Sequence, residues 1–149
     1  MLRLSKKTDY ALMAMAHLAV KPGSSSAREI AEAYDIPVEL MAKVLQRLTR
    51  RGLLSSQQGT RGGYQLARAA GNISVADVIQ AIDGPVAVTA CSSHAGRCGQ
   101  FEKCNVRDPL HRIREVIVSA LAATTLDELA GDAVGGRPEP ARLLALQGR

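Results

Sequence analysis

The chain has three cysteines, Cys91, Cys98 and Cys104, and they fall within one fourteen-residue stretch rich in Gly, Ser and polar residues. Thiolates gathered this closely in a chain without a secretory signal point to a metal or an iron–sulfur cluster ahead of disulfides. Three thiolates leave a four-coordinate site one ligand short. Zinc accepts three Cys and one His, and iron–sulfur clusters use four thiolates, with histidine replacing cysteine in some centres. His94 in the loop, Glu102, His111 further on, or an acid from a second subunit could complete the set. Structural zinc sites favour cysteine pairs separated by only about two to four residues. The gaps here are six and five residues, too open for a zinc knuckle and better suited to ringing a larger cluster. Zinc and simple redox thiols remain the alternatives on this chemistry alone.

The elements that must position these thiols are helices. Only four residues are aromatic (Tyr10, Tyr34, Tyr64, Phe101), so the core is expected from Ala, Leu, Ile, Val and Met. At 149 residues the chain is one domain, or one small domain with a dimerisation arm. The longest near-apolar stretch, Ala11–Val20, is about half of the roughly 20 residues needed to span a bilayer. The amino terminus lacks an apolar stretch ending in a cleavage site, so the expectation is a cytoplasmic protein that does not engage membranes. Charge is uneven. Residues 1–68 hold eleven Lys/Arg against five Asp/Glu, and residues 69–149 hold eight against nine. A basic amino-terminal half is an electrostatic footprint for nucleic acid; a merely basic surface would spread the excess.

Periodicity predicts a helix over Thr8–Val20, apolar on nearly all sides and so buried from several directions. Ser26 and Glu29 form a capping-box pattern opening a short helix to about Tyr34, with Ile30, Ala31 and Ala33 inward. Asp35–Pro37 is a turn, and a second helix runs Val38–Arg50 with Leu40, Met41, Val44, Leu45 and Leu48 in one stripe. Two short helices joined by a tight turn suit a helix-turn-helix. Short strands at Leu53–Ser56 and Tyr64–Leu66, around a glycine-rich loop carrying Arg61, read as a wing; an ordinary surface hairpin is the plainer alternative. Ser74 and Asp77 cap a helix to about Asp83. A long helix from about Pro109 to Ala123 carries Leu110, Ile113, Val116, Ile117, Ala120 and Leu121 on one face, followed by a last turn capped by Thr125 and Glu128. That stripe asks for a twofold partner, unless it folds back on its own domain.

The predicted fold is therefore mainly α with a small β-wing: a winged helix-turn-helix over residues 1–84, a cysteine loop over 85–108, a dimerisation helix and last turn over 109–130, and a flexible tail over 131–149. On the second helix, burying the apolar stripe turns the charged face outward, where a helix-turn-helix meets the major groove. Glu39, Ala42 and Lys43 are the candidates for base-edge neighbours. Arg47, Arg50 and Arg51 lie further along, and they fit phosphate, which positions without reading sequence. Arg3, Lys6 and Lys7 form an amino-terminal basic cluster, and Arg61 could enter a narrow minor groove. Without the wing and the basic cluster beside it, such a charged face would be as readily a solvated one.

The segments Leu4–Leu12 (LSKKTDYAL), Leu53–Ser56, Gly62–Leu66 (GGYQL) and Ile73–Ile79 (ISVADVI), followed by three spaced cysteines, together resemble the Rrf2 family of winged-helix regulators, including its IscR and NsrR types. The likeness runs over about residues 1–130. The run Asp83–Cys91 (DGPVAVTAC) is most similar to the subgroup controlling the SUF operon for iron–sulfur assembly. The resemblance implies a homodimer with crossing long helices, a cluster on each protomer held by Cys91, Cys98 and Cys104, and operator binding governed by cluster state. It favours a two-iron cluster over a four-iron one, with zinc as the alternative. IscR-type members take a fourth ligand from a histidine three residues after the last cysteine, and here that residue is Arg107. NsrR-type members can use an amino-terminal aspartate of the other subunit, a place filled here by Asp9, which the first helical turn would favour anyway. IscR-type members also carry a state-sensitive acid where this chain has Ala42.

The expectation is a dimeric regulator of double-stranded operator DNA, a repressor of iron–sulfur assembly genes with no small-molecule substrate. A nitric oxide or redox sensor on the same scaffold is the first alternative, and a zinc-stabilised interaction module that does not bind DNA is the second. The histidines (His17, His94, His111) belong to no nucleophile or general-base arrangement, and there is no phosphate-binding glycine loop, so an enzyme is not expected.

Overall fold

The computed structural model describes residues 3–89 and 98–135. The helices are α1 (Lys6–Val20), α2 (Ala27–Ala33), α3 (Val38–Arg50), α4 (Val75–Asp83), α5 (Arg107–Ala123) and α6 (Leu126–Gly135). Strands β1 (Leu54–Gln57) and β2 (Gly63–Leu66) follow α3, and single 3-10 turns lie at Ala70–Asn72 and Phe101–Lys103. The architecture is mainly α with a small β-wing, as expected.

Helix α1 starts two residues before the predicted Thr8. Ser5, in extended backbone, is its N-cap, and its Oγ accepts from Thr8 N at 3.2 Å. Ala11, Ala14, Met15 and Leu18 are buried, and α1 packs against α3, α4, α6 and β2, so its near-uniform apolarity is used on several sides. Ser26 caps α2 by accepting from Glu29 N at 3.1 Å. The predicted reciprocal half of that box does not form. The Glu29 carboxylate instead accepts from Lys21 Nζ at 3.0 Å, and this holds it below the usual carboxylate range. Ile30 and Ala31 are fully buried, but Ala33 is exposed, because a seven-residue helix offers too few turns to bury a second face.

The turn into α3 places Asp35 at φ 52°, a left-handed conformation that aspartate tolerates better than most residues. Met41, Val44, Leu45 and Leu48 are buried as predicted, while Leu40 is only half-buried. Gly52, at φ 77°, closes α3: Leu53 N donates back to Leu48 O at 3.0 Å.

The wing pairs antiparallel, Leu54 opposite Leu66 and Gln57 opposite Gly63. It is pinned to the loop before α2, where Ser25 N donates to Tyr64 O at 3.0 Å and Tyr64 N to Ser25 O at 2.8 Å. A Cβ on Gly63 would lie 2.6 Å from the Ser25 carbonyl, so this close approach requires glycine.

Ser74 and Asp77 form a complete capping box on α4, with bonds of 2.9 and 3.1 Å. Thr125 and Glu128 do the same for α6. That box starts more than a last turn. Helix α6 runs ten residues to Gly135, past the predicted start of the tail at 131. Leu126 is fully buried and Ala130 nearly so, and α6 packs on α1. The chain thus returns to the core after α5, and the remaining tail residues, 136–149, lie outside the described residues.

Candidate nucleic-acid interface and cysteine site

The outer face of α3 presents its cations across a groove to the start of α1. Lys7, Leu40, Lys43, Val44, Arg47, Arg50, Ile82 and Asp83 line this groove of about 310 Å³. Four of the predicted DNA contacts, Lys7, Lys43, Arg47 and Arg50, therefore converge on an apolar floor of Leu40, Val44 and Ile82. Arg47 is exposed, but it is not free in the predicted sense: its Nε donates to Ala81 O at 3.0 Å, at the end of α4. Its remaining N–H groups stay available to an anion.

Glu39 is exposed and Ala42 half-buried on the amino-terminal part of α3, the end that reads bases in a helix-turn-helix. Arg51 is exposed at the C-cap of α3, and Arg61 is exposed in the wing loop, where its carbonyl accepts from Ser24 Oγ at 3.3 Å. Lys6 pairs with Asp9 at 3.9 Å and lies over the Tyr10 ring at 5.5 Å. Arg3 lines a different groove, with Ile117 and Leu121 of α5, so the amino-terminal basic cluster is split between two faces.

Asp83 was not among the predicted site residues. Its Oδ1 accepts from Ser5 Oγ at 2.7 Å, and its Oδ2 accepts from Thr8 Oγ1 at 2.8 Å and Ser5 N at 3.2 Å. Partial burial opposes ionisation, but these donors and nearby Arg47 outweigh it and hold the carboxyl below its usual range. The sequence carried no signal for it, since Asp83 lies 78 positions from Ser5 and 75 from Thr8.

At the cysteine end, Cys98 and Cys104 are both half-exposed free thiols flanking the 3-10 turn Phe101–Lys103. Cys91 and His94 lie outside the described residues. Glu102 is exposed, and His111 is exposed with Nε2 3.8 Å from Glu115. No group of three potential metal-ligating side chains is assembled among the described residues. Two accessible thiols on a turn, with a third cysteine in the same loop, are a donor set that fits a thiolate-held cluster. Arg107 is the residue that stands where the resemblance would have placed a ligating histidine. It braces the turn instead: Nη1 donates to Phe101 O at 3.0 Å, and the guanidinium stacks 4.5 Å from the Phe101 ring. Asp9, the other candidate fourth ligand, is half-exposed beside Lys6, with Ser5 rather than Asp9 as the helix cap.

The helix-turn-helix, pinned wing and cation-lined recognition groove define a winged-helix DNA-binding protein. The family model for Rrf2, described as an iron-dependent transcriptional regulator, matches residues 4–132. The HTH-type transcriptional regulator IscR of Xenorhabdus nematophila is 35% identical over 130 residues, covering 86% of this chain and 79% of that protein. Among solved structures, CymR of B. subtilis, described as the global cysteine regulator, superposes with a TM-score of 0.71 at 29% identity, covering 88% of this chain and 98% of that one. T. potens IscR superposes with a TM-score of 0.70 at 24% identity, covering 95% and 96%, a likeness of fold. The chain belongs to the Rrf2 family of transcriptional regulators. Regulation of transcription through DNA is what the matched family and relatives are described as doing. No helix among the described residues is long and apolar enough to cross a membrane.

Proposed function

We propose that the protein is a homodimeric, cytoplasmic repressor of iron–sulfur assembly genes that senses through a cluster held by Cys91, Cys98 and Cys104. The observation that carries this reading is the state of α5. It is seventeen residues long with none buried, and its stripe residues Ile113 and Val116 are 50% and 69% exposed. An apolar stripe left uncovered by the described residues is a face suited to a symmetry mate. The cysteine turn leads directly into that helix. When bound, a cluster would supply oxidisable iron and labile sulfide.

The chain's own part is mechanical. Its thiolates fix the loop, Arg107 braces the turn on the start of α5, and Arg114 Nε donates to Val86 O at 2.9 Å. The loop state thus biases how α5 carries the two DNA heads. Couplings of this kind are typically about 1–3 kcal/mol, enough to switch a promoter. Asp9 of the second subunit is the favoured fourth ligand, since Arg107 is committed to the turn and carries positive charge.

The test is purification without oxygen, followed by a visible absorption spectrum with iron and sulfide assays on the same sample. The expected result is coloured protein with iron and sulfide in matching amounts, and operator affinity that changes when the cluster is removed. A colourless protein that takes up no cluster on reconstitution would overturn the sensor reading. It would leave the half-exposed thiols of Cys98 and Cys104 as direct oxidation sensors, or as zinc ligands.

A further inference from the structure

The end of α4 is bonded to both walls of the basic groove. On one side Asp83 takes the three hydrogen bonds from Ser5 and Thr8, the cap and first turn of α1. On the other, Ala81 accepts from Arg47 of the recognition helix. Lys7 enters the groove only from that first turn of α1, whereas Lys43, Arg47 and Arg50 enter from α3. Arg3 and Leu4, which precede the cap, are exposed. Among the described residues before the cap, Arg3 and Leu4 line a separate groove with Ile117 and Leu121, so the bonds to Asp83 are what tie the cap and first turn, and with them Lys7, to α4.

We propose that Asp83 is a positioning residue of the DNA interface: it ties the start of α1 to the end of α4, so that Lys7 closes the groove against Lys43, Arg47 and Arg50 around a single DNA backbone phosphate. The ligand chemistry follows from the lining. Four cations over an apolar floor suit a compact, unreadable anion rather than a base edge. The groove also sits beside the helix that faces the major groove, where the flanking backbone runs. The inference rests on the DNA-binding reading and extends it to a residue that would not touch DNA.

The simple Coulomb expectation has the opposite sign. A carboxylate lining a phosphate groove repels phosphate, so its neutralisation should tighten binding. If Asp83 positions Lys7, neutralisation should weaken binding, because the loosened turn withdraws a cation.

The experiment uses the full-length dimer and a fluorescent duplex carrying its own promoter, alongside an unrelated duplex, titrated by anisotropy at several salt concentrations. Lys7→Ala is expected to weaken binding to both duplexes equally and to reduce the slope of log affinity against log salt by about 0.9. Asp83→Asn should reproduce both effects, with a loss of about three- to tenfold in affinity. The double variant should bind no worse than Lys7→Ala alone. Ser5→Ala, which keeps the carboxylate and alters a half-exposed residue, should move affinity and slope in the same direction, and it decides the matter if Asp83→Asn does not fold. Tighter or unchanged binding by Asp83→Asn, or losses that add in the double variant, would overturn the proposal. Wild-type protein with no salt-dependent binding to either duplex would overturn the DNA interface itself.

Discussion

His17, outside the functional site, gives the stability of the fold a dependence on pH. Its Nδ1 lies 3.0 Å from the Tyr34 hydroxyl, and its Nε2 is buried without a hydrogen-bond partner among the described residues. Burial and then Lys21 lower its pKa below the ordinary value of 6.5, against a smaller opposing effect of Glu29. In the unfolded chain the imidazole takes up its proton near 6.5, and in the folded chain only at lower pH. The unfolded state thus binds more protons below that value, so stability falls as pH drops through this window. We expect the melting temperature to decline between pH 7.5 and 5.5, and His17→Gln to flatten the decline. A wild-type melting temperature that stays level there would count against the assignment. Asp83, held below its usual range, acts in a separate window: its contribution is present above about 3.8 and is lost only as pH falls below it. At this scale the sequence was legible where a residue's partner is local, as with Ser74 and Asp77. It was not legible where tertiary competition decided, as when Lys21 took Glu29 from its box or Asp83 supplied the acid that Ser5 and Thr8 lack nearby.

Helices and strands were more readable than their pairings. The α3 stripe, the glycine-rich wing and the long apolar helix all carry periodicity or turn chemistry that survives into the structure. Helix α6 was underestimated, because Leu126-Asp-Glu-Leu-Ala130 offers only one turn of pattern until Leu126 is seen buried under α1. For α5 the structure adds what periodicity could not: the helix packs on α4, yet among the described residues nothing covers Ile113 and Val116. Pro109, Arg112, Ile113, Val116 and Ile117 line an open groove along it. In a twofold interface each substitution acts twice. Val116→Glu would place a charge in each copy of the apolar seam, and we expect it to raise the dimer dissociation constant by more than about tenfold, equivalent to about 1.4 kcal/mol. Sedimentation equilibrium would measure this. The variant should keep its helical spectrum, since Val116 is 69% exposed within the chain and supports no core. A Val116→Glu protein that remains as tightly dimeric as wild type would exclude this face as the seam.

At the scale of the whole molecule, the segment from Asp83 to Val86 links the DNA-binding domain to α5. Asp83 fastens one end of it to α1, and Val86 O accepts from Arg114 of α5 three residues later. Arg114 is also held by Glu115 at 2.7 Å, so the anchor is fixed on the long helix. Neither long-range bond was legible in the sequence, because each joins groups brought together only by packing: Ser5 and Asp83 are 78 positions apart, and Arg114 and Val86 are 28. The consequence belongs to the proposed dimer on a two-part operator. Each DNA head can meet one half-site by itself, but both can bind together only if α5 holds them at the right spacing and angle. Removing the anchor should therefore leave the individual head intact and loosen the relation between heads. Arg114→Ala is expected to lower affinity for the full operator by several-fold, up to about tenfold, which is within the usual worth of a hydrogen bond from a charged group. Its affinity for a duplex carrying one half-site should match wild type. Equal losses on both duplexes would mean that Arg114 supports the fold of the head itself. No loss on either would mean that the 83–86 segment does not carry the geometry of α5 to the DNA heads.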